Sequence, residues 1–123
     1  MKKVLIVDDE AAFTRLMALN LEDTGEFEVR VENSPEQATR TATYFKPDVV
    51  VLDILMPGKS GIKLAEEWQQ HATLSTIPVI FLTAAMSKDS PVIEHGVLEK
   101  FPVLIKPVSF TDLLKQLTTA IGS

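Results

Sequence analysis

The sequence predicts an α/β fold, a parallel β-sheet with helices packed on both faces. Three observations carry that expectation. Four short apolar runs, Val4–Val7, Val49–Leu52, Val79–Leu82 and Val103–Ile105, are rich in β-branched residues, as strands buried on both faces should be. Stretches with helical spacing of apolar residues separate them. Strand and helix alternate to the end of the 123 residues, which implies crossover connections and parallel strands.

In chain order, Val4–Val7 opens the sheet. Lys2 and Lys3 precede it and Asp8, Asp9 and Glu10 follow at once, so the run is too short for the apolar region of a signal peptide. Residues 11–22 read as the first helix, with Phe13, Leu16, Met17 and Leu21 at near-helical spacing. In "EFEVRVE", Glu26 to Glu32, Phe27, Val29 and Val31 alternate with charges, which suits an edge strand with one wet face. Ser34-Pro35 offers an N-cap with proline at the first helical position, and Gln37 completes a capping box. That helix should stop before Lys46-Pro47, because the residue before proline is disfavoured in the helical region.

The third helix, from about Ser60 to His71, carries Ile62, Ala65 and Trp68 on one side. Between Met86 and Pro102 the pattern is weakest. Ser90-Pro91 can start a helix, but Gly96 costs it roughly 1 kcal/mol relative to alanine, so a short, marginal helix is expected there. The last helix begins at the "SFTD" box, Ser109 to Asp112, and turns Leu113, Leu114, Leu117 and Ile121 to the core.

A chain of this length reads as one domain able to bury about two-thirds of its unfolded surface. The net charge of -5 argues against binding a nucleic-acid backbone or an anionic membrane surface. With no cysteine, disulfide and thiol chemistry are excluded, and no apolar stretch approaches the length of a membrane span. A cytoplasmic protein is expected.

Chemistry gathers where the strands end. Asp8-Asp9 follow the first strand, Asp53 the third, Thr83 the fourth and Lys106-Pro107 the fifth. In a parallel sheet these ends share one edge, where open α/β folds bind ligands. Three carboxylates brought together repel one another, and a hard divalent cation relieves the repulsion. Mg²⁺ takes one or two carboxylates and shares its remaining positions with water and phosphate. Lysine and threonine suit a phosphoryl group, and a remaining aspartate can act as nucleophile to form an acyl phosphate. Taken singly, Asp8 and Asp9 read as helix caps, Lys106 as a solvated lysine and Thr83 as a strand end. Their convergence favours Mg²⁺-assisted phosphoryl transfer. His71 and His95 have no ligand-spaced neighbours, and Trp68 reads as helix packing.

With "VDDE" after the first strand, "LDILMPGKSG" from Leu52 to Gly61, Thr83-Ala84 and Lys106-Pro107, the chain resembles the receiver domain of bacterial two-component response regulators. The resemblance covers essentially all 123 residues. It implies a doubly wound, flavodoxin-like fold with five parallel strands in the order 2-1-3-4-5 and five helices. The chain stops with its last helix, so a single receiver domain over 1–123 with no output domain is expected; the alternative is a domain cut from a longer chain. Asp53 would be the phosphoacceptor. Asp9, Asp53 and the backbone carbonyl of Leu55 would bind Mg²⁺ directly, and Asp8 would act through a metal-bound water. Lys106 would pair with the phosphoryl group, Thr83 would close on it, and the Lys106-Pro107 bond would be cis. Met56-Pro57-Gly58 would form the turn leaving the site. The domain would be a phosphoacceptor that assists its own phosphorylation and dephosphorylation. Its donor would be a histidine kinase or phosphotransfer protein, and its output a protein partner. Neither nucleic acid nor membrane would be engaged, and the domain would be a monomer or weak homodimer.

Departures from the pattern matter. Val103 stands where the family usually carries an aromatic switch residue, with Phe101 two residues upstream on the same strand face. "HGVLEKFP" replaces the usual small-residue turn. Leu55 and Ala85 flank the site and neither can orient an attacking water, so slow self-dephosphorylation is expected. The alternative is a pseudo-receiver, a binding module that signals without phosphorylation. A flavin-binding protein would need a Ser/Thr/Gly phosphate loop after the first strand. An aspartate-based phosphatase would need a second aspartate where Glu10 stands.

Overall fold

A computed structural model describes residues 1–84 and 101–122. Its strands are β1 (Lys2–Val7), β2 (Phe27–Glu32), β3 (Val49–Asp53), β4 (Val79–Thr83) and β5 (Val103–Ile105). They form one five-stranded sheet in the order β2-β1-β3-β4-β5, and every neighbouring pair is parallel. The described α-helices are α1 (Ala11–Asp23), α2 (Ala38–Phe45), α3 (Gly61–Gln69) and α4 (Phe110–Ile121).

The two-residue period of a strand sorts the apolar runs into two cores. Leu5, Val7, Val50, Leu52 and Phe81 face α2 and α3, meeting Ala42, Phe45, Ile62, Ala65 and Trp68. Val4, Ile6, Val49, Val51, Ile80 and Leu82 face the other way, against Met17 and Leu21 of α1 and Leu113 and Leu117 of α4. Every residue of β3 and β4 is buried, whereas β2, at the edge, is only partly covered. The expected doubly wound sheet is therefore present, with its β-branched strands wrapped on both faces.

Local signals fix several helix ends. Ser60 Oγ accepts from the Ile62 N–H at 3.1 Å and Ser109 Oγ from the Asp112 N–H at 3.0 Å. α2 ends at Phe45, and Lys46 turns left-handed with φ 54° ahead of Pro47. Trp68 is buried and its Nε1 donates to Thr39 Oγ1 at 2.8 Å. His71 Nδ1 accepts from the Thr73 and Leu74 N–H groups, both at 3.2 Å, and so caps the turn into β4.

Two expectations change. Leu16 is 55% exposed; buried Thr14 takes the inward position with Phe13, Met17 and Leu21, because successive helix residues are rotated by about 100°. Ser34 does not cap a helix: Pro35–Gln37 form a 3₁₀ turn and α2 begins at Ala38. The Ser34 N–H instead donates to Glu32 Oε2 at 3.0 Å, so the chain is held to the end of β2. β5 begins at Val103, yet Phe101 still turns inward, edge-on to Phe81 at 5.9 Å and 74°. The marginal helix expected over Met86 to Pro102 lies, apart from its last two residues, outside the described residues, as do Ala85 and His95. Among the described residues, no helix is long and apolar enough to cross a membrane.

Candidate functional site

The carboxyl ends of β1, β3, β4 and β5 share one edge, and three of the polar residues found there are buried. Asp8 and Thr83 are fully buried and Asp53 is 3% exposed. Lys106 follows β5, and its N–H donates to the Thr83 carbonyl at 2.8 Å, pinning the lysine to the end of β4. The Lys106-Pro107 bond is cis, as expected.

Asp8 is fixed from several sides. Its N–H donates to the Glu32 carbonyl at 3.1 Å, and its own carbonyl accepts from Asn33 Nδ2 at 2.8 Å. The same amide donates to Thr14 Oγ1 at 3.0 Å, which explains why a hydroxyl occupies that inward position. Asp8 Oδ1 accepts from the Glu10 N–H at 2.9 Å, bending the chain into α1.

Asp53 is held by the loop that follows it. The Ile54 N–H donates to the Leu82 carbonyl at 2.9 Å and the Gly61 N–H to the Ile54 carbonyl at 2.9 Å, so the start of α3 folds back against the site. Between them Gly58 adopts φ 83°, a left-handed turn that favours glycine. The Leu55 backbone lowers the Asp53 pKa, and Leu55 itself is 56% exposed.

The ammonium of Lys106 sits among three carboxylates. Its Nζ is 2.6 Å from Glu10 Oε1, 2.7 Å from Asp8 Oδ2 and 3.6 Å from Asp53 Oδ2, with the Phe13 ring 4.8 Å away. Burial works to lower the Lys106 pKa, but the bonds to Asp8 and Glu10 and the Asp53 charge hold it above the ordinary lysine value. Asp53 is pushed up to about 7, first by burial and then by the Asp8 charge; Lys106 pulls the other way, and Asp9 adds to the rise.

Asp8, Glu10 and Asp53 place carboxylate oxygens within 4.8 Å of one another. Asp8 Oδ2 is buried against Lys106, and among the described residues this one lysine does not balance three clustered acids. Hard oxygen donors and excess negative charge fit a hard divalent cation. Asp9 is exposed at the rim and is not one of the three clustered carboxylates. A groove of about 440 Å³ lined by Ala42, Lys46, Leu74 and Ile77 lies at the opposite strand edge and shares no residue with the site.

The structure thus brings Asp8, Asp53 and Lys106 together, with Thr83 at the adjacent strand end and Asp9 at the rim. The residue that sequence reading passed over is Glu10. Its signal was present as the third acid of "VDDE", but only the fold shows that it reaches Lys106.

A family model described as response regulator receiver domain matches residues 4–118. The phosphate regulon transcriptional regulatory protein PhoB of Pseudomonas aeruginosa is 34% identical over 122 residues, 98% of this chain and 52% of PhoB. The chain likewise spans about half the length of other relatives, such as PdtaR of Mycobacterium tuberculosis, of which it covers 57% at 31% identity. Protein PilH of Pseudomonas aeruginosa is 32% identical over 124 residues, 99% of each chain. Among solved structures, chemotaxis protein CheY4 of Vibrio cholerae superposes with a TM-score of 0.85 at 26% identity, covering 98% of both chains.

Proposed function

Because the chain belongs to the response regulator receiver domain family, we propose that Asp53 accepts a phosphoryl group from a phosphohistidine in the presence of Mg²⁺. The donor is a histidine kinase or a phosphotransfer protein, and the product changes which protein partner is bound. The observation that carries this reading is Asp53 itself: a buried carboxylate at a strand end, 3.6 Å from a lysine and clustered with two further acids.

In the transfer, an Asp53 carboxylate oxygen attacks phosphorus. The P–N bond of the phosphohistidine breaks, and its electron pair stays on the imidazole nitrogen. Mg²⁺, when bound, supplies positive charge against the carboxylates and the phosphoryl oxygens. By the family resemblance Asp9, Asp53 and the Leu55 carbonyl would hold it directly, and Asp8 would act through a water. Lys106 pairs with the phosphoryl oxygens and the Thr83 hydroxyl donates to one of them.

Acyl-phosphate formation favours one of two states with different partner surfaces. The Phe81–Phe101 contact next to β5 makes Phe101, rather than Val103, the aromatic group available to respond. The net charge of -5 supports a protein that engages neither a nucleic-acid backbone nor an anionic membrane surface; a cytoplasmic monomer or weak homodimer is the reading carried by the family resemblance.

Incubation with a small phosphodonor and Mg²⁺ tests the proposal: the mass should rise by one phosphoryl group, and Asp53→Asn should abolish the rise. The exposed placement of Asp9 outside the carboxylate cluster favours a second reading, the pseudo-receiver. Failure to label, with partner binding intact in Asp53→Asn, would support that module.

A further inference from the structure

We propose that Glu10 is a holding residue for Lys106: it keeps the ammonium on the α1 side of the pocket in the unmodified protein and releases it when Asp53 is phosphorylated. This rests on the reading of Asp53 as phosphoacceptor.

Lys106 Nζ lies within charge-assisted hydrogen-bond distance of Glu10 Oε1, 2.6 Å, and Asp8 Oδ2, 2.7 Å, but 3.6 Å from Asp53 Oδ2, beyond a hydrogen bond. The group that should serve the phosphoryl site is therefore committed elsewhere. Glu10 occupies the N-cap position of α1, yet its side chain makes no capping bond; it reaches across to Lys106 instead.

The two holding carboxylates differ in how readily they let go. Asp8 is fully buried and bonded through Oδ1 to the Glu10 N–H. The Glu10 side chain is 61% exposed, so water replaces its contact at little cost. A phosphoryl group on Asp53 carries more negative charge than the carboxylate it replaces and presents several acceptor oxygens, which draws the ammonium across. Because Glu10 binds Lys106 in one arrangement only, it favours the unmodified state by that difference.

The test compares wild type with Glu10→Gln, which keeps the shape and removes the charge. Each is titrated with a beryllofluoride phosphoryl mimic at Mg²⁺ concentrations that saturate both proteins, while the Lys106 ammonium signal is followed by NMR. Glu10→Gln should tighten mimic binding about two- to fivefold, the modest size expected of a water-exposed ion pair. In the mimic-free variant the Lys106 signal should already be displaced toward its position in mimic-bound wild type. Unchanged or weaker mimic binding, or a Lys106 signal that the substitution leaves in place, overturns the proposal. If wild type itself takes up no mimic, the phosphoacceptor reading fails instead, and the Lys106 signal alone decides whether Glu10 holds it.

Discussion

Gly61 stands so close to Asp53 that a Cβ added to it would lie 2.0 Å from the Asp53 carbonyl oxygen. The contact is with backbone, which cannot swing away. The first residue of α3 therefore sets how tightly the loop carrying Leu55 to Ser60 closes over the carboxylate. Gly61→Ala should displace α3 from β3 and cost about 1–3 kcal/mol, the usual penalty of overpacking. Urea unfolding checks this. Labelling of Asp53 by a small phosphodonor should slow in the same variant, because the nucleophile shifts with its backbone.

Asp53 also predicts a pH dependence in metal-free buffer. Its pKa is raised from 3.8 to about 7, so the folded protein holds that proton more tightly than the unfolded chain does. Stability from this group is then present at low pH and is lost as pH rises from about 4 to 7. Asp53→Asn removes the effect. At pH 8 it should be more stable than wild type by about 1–4 kcal/mol, and the two should converge near pH 4. Mg²⁺ should stabilise wild type at pH 8 and Asp53→Asn far less. Denaturation curves at the two pH values, with and without Mg²⁺, measure all of this.

Leu55 is exposed two residues after the proposed phosphoacceptor, Asp53, and its side chain cannot position a water. Loss of the phosphoryl group should consequently be slow, and Leu55→Asn, which adds a hydrogen-bonding amide, should speed it by about tenfold. Timing the decay after removal of the phosphodonor is the check. A wild-type half-life of seconds, or an unchanged rate in Leu55→Asn, contradicts it.

Much of the fold could be read from the chain because a parallel sheet buried on both faces demands β-branched runs, and Val49–Leu52 and Val79–Leu82 have no other use. The site was readable for a related reason: acids placed directly after such runs must emerge at one edge of the sheet. What could not be read depended on rotations of a single residue and on long-range reach. Periodicity alone does not separate Leu16 from Thr14 as the inward residue of α1; the Asn33 amide, which bonds Thr14 and the Asp8 carbonyl, decides it. Ser34-Pro35 has the composition of a helix start, but the bond from its N–H to Glu32 makes a tighter turn first. The reach of Glu10 to Lys106 follows only once β1 and β5 lie in one sheet.

The central claim is that Asp53 forms the acyl phosphate, and borohydride reduction followed by peptide mass spectrometry tests it most directly, because aspartyl phosphate is reduced to homoserine. After treatment with a small phosphodonor and Mg²⁺, homoserine should appear at position 53 alone and should vanish when Mg²⁺ is chelated. Homoserine at another aspartate, or none anywhere while the protein remains folded with Mg²⁺ bound, would contradict the account.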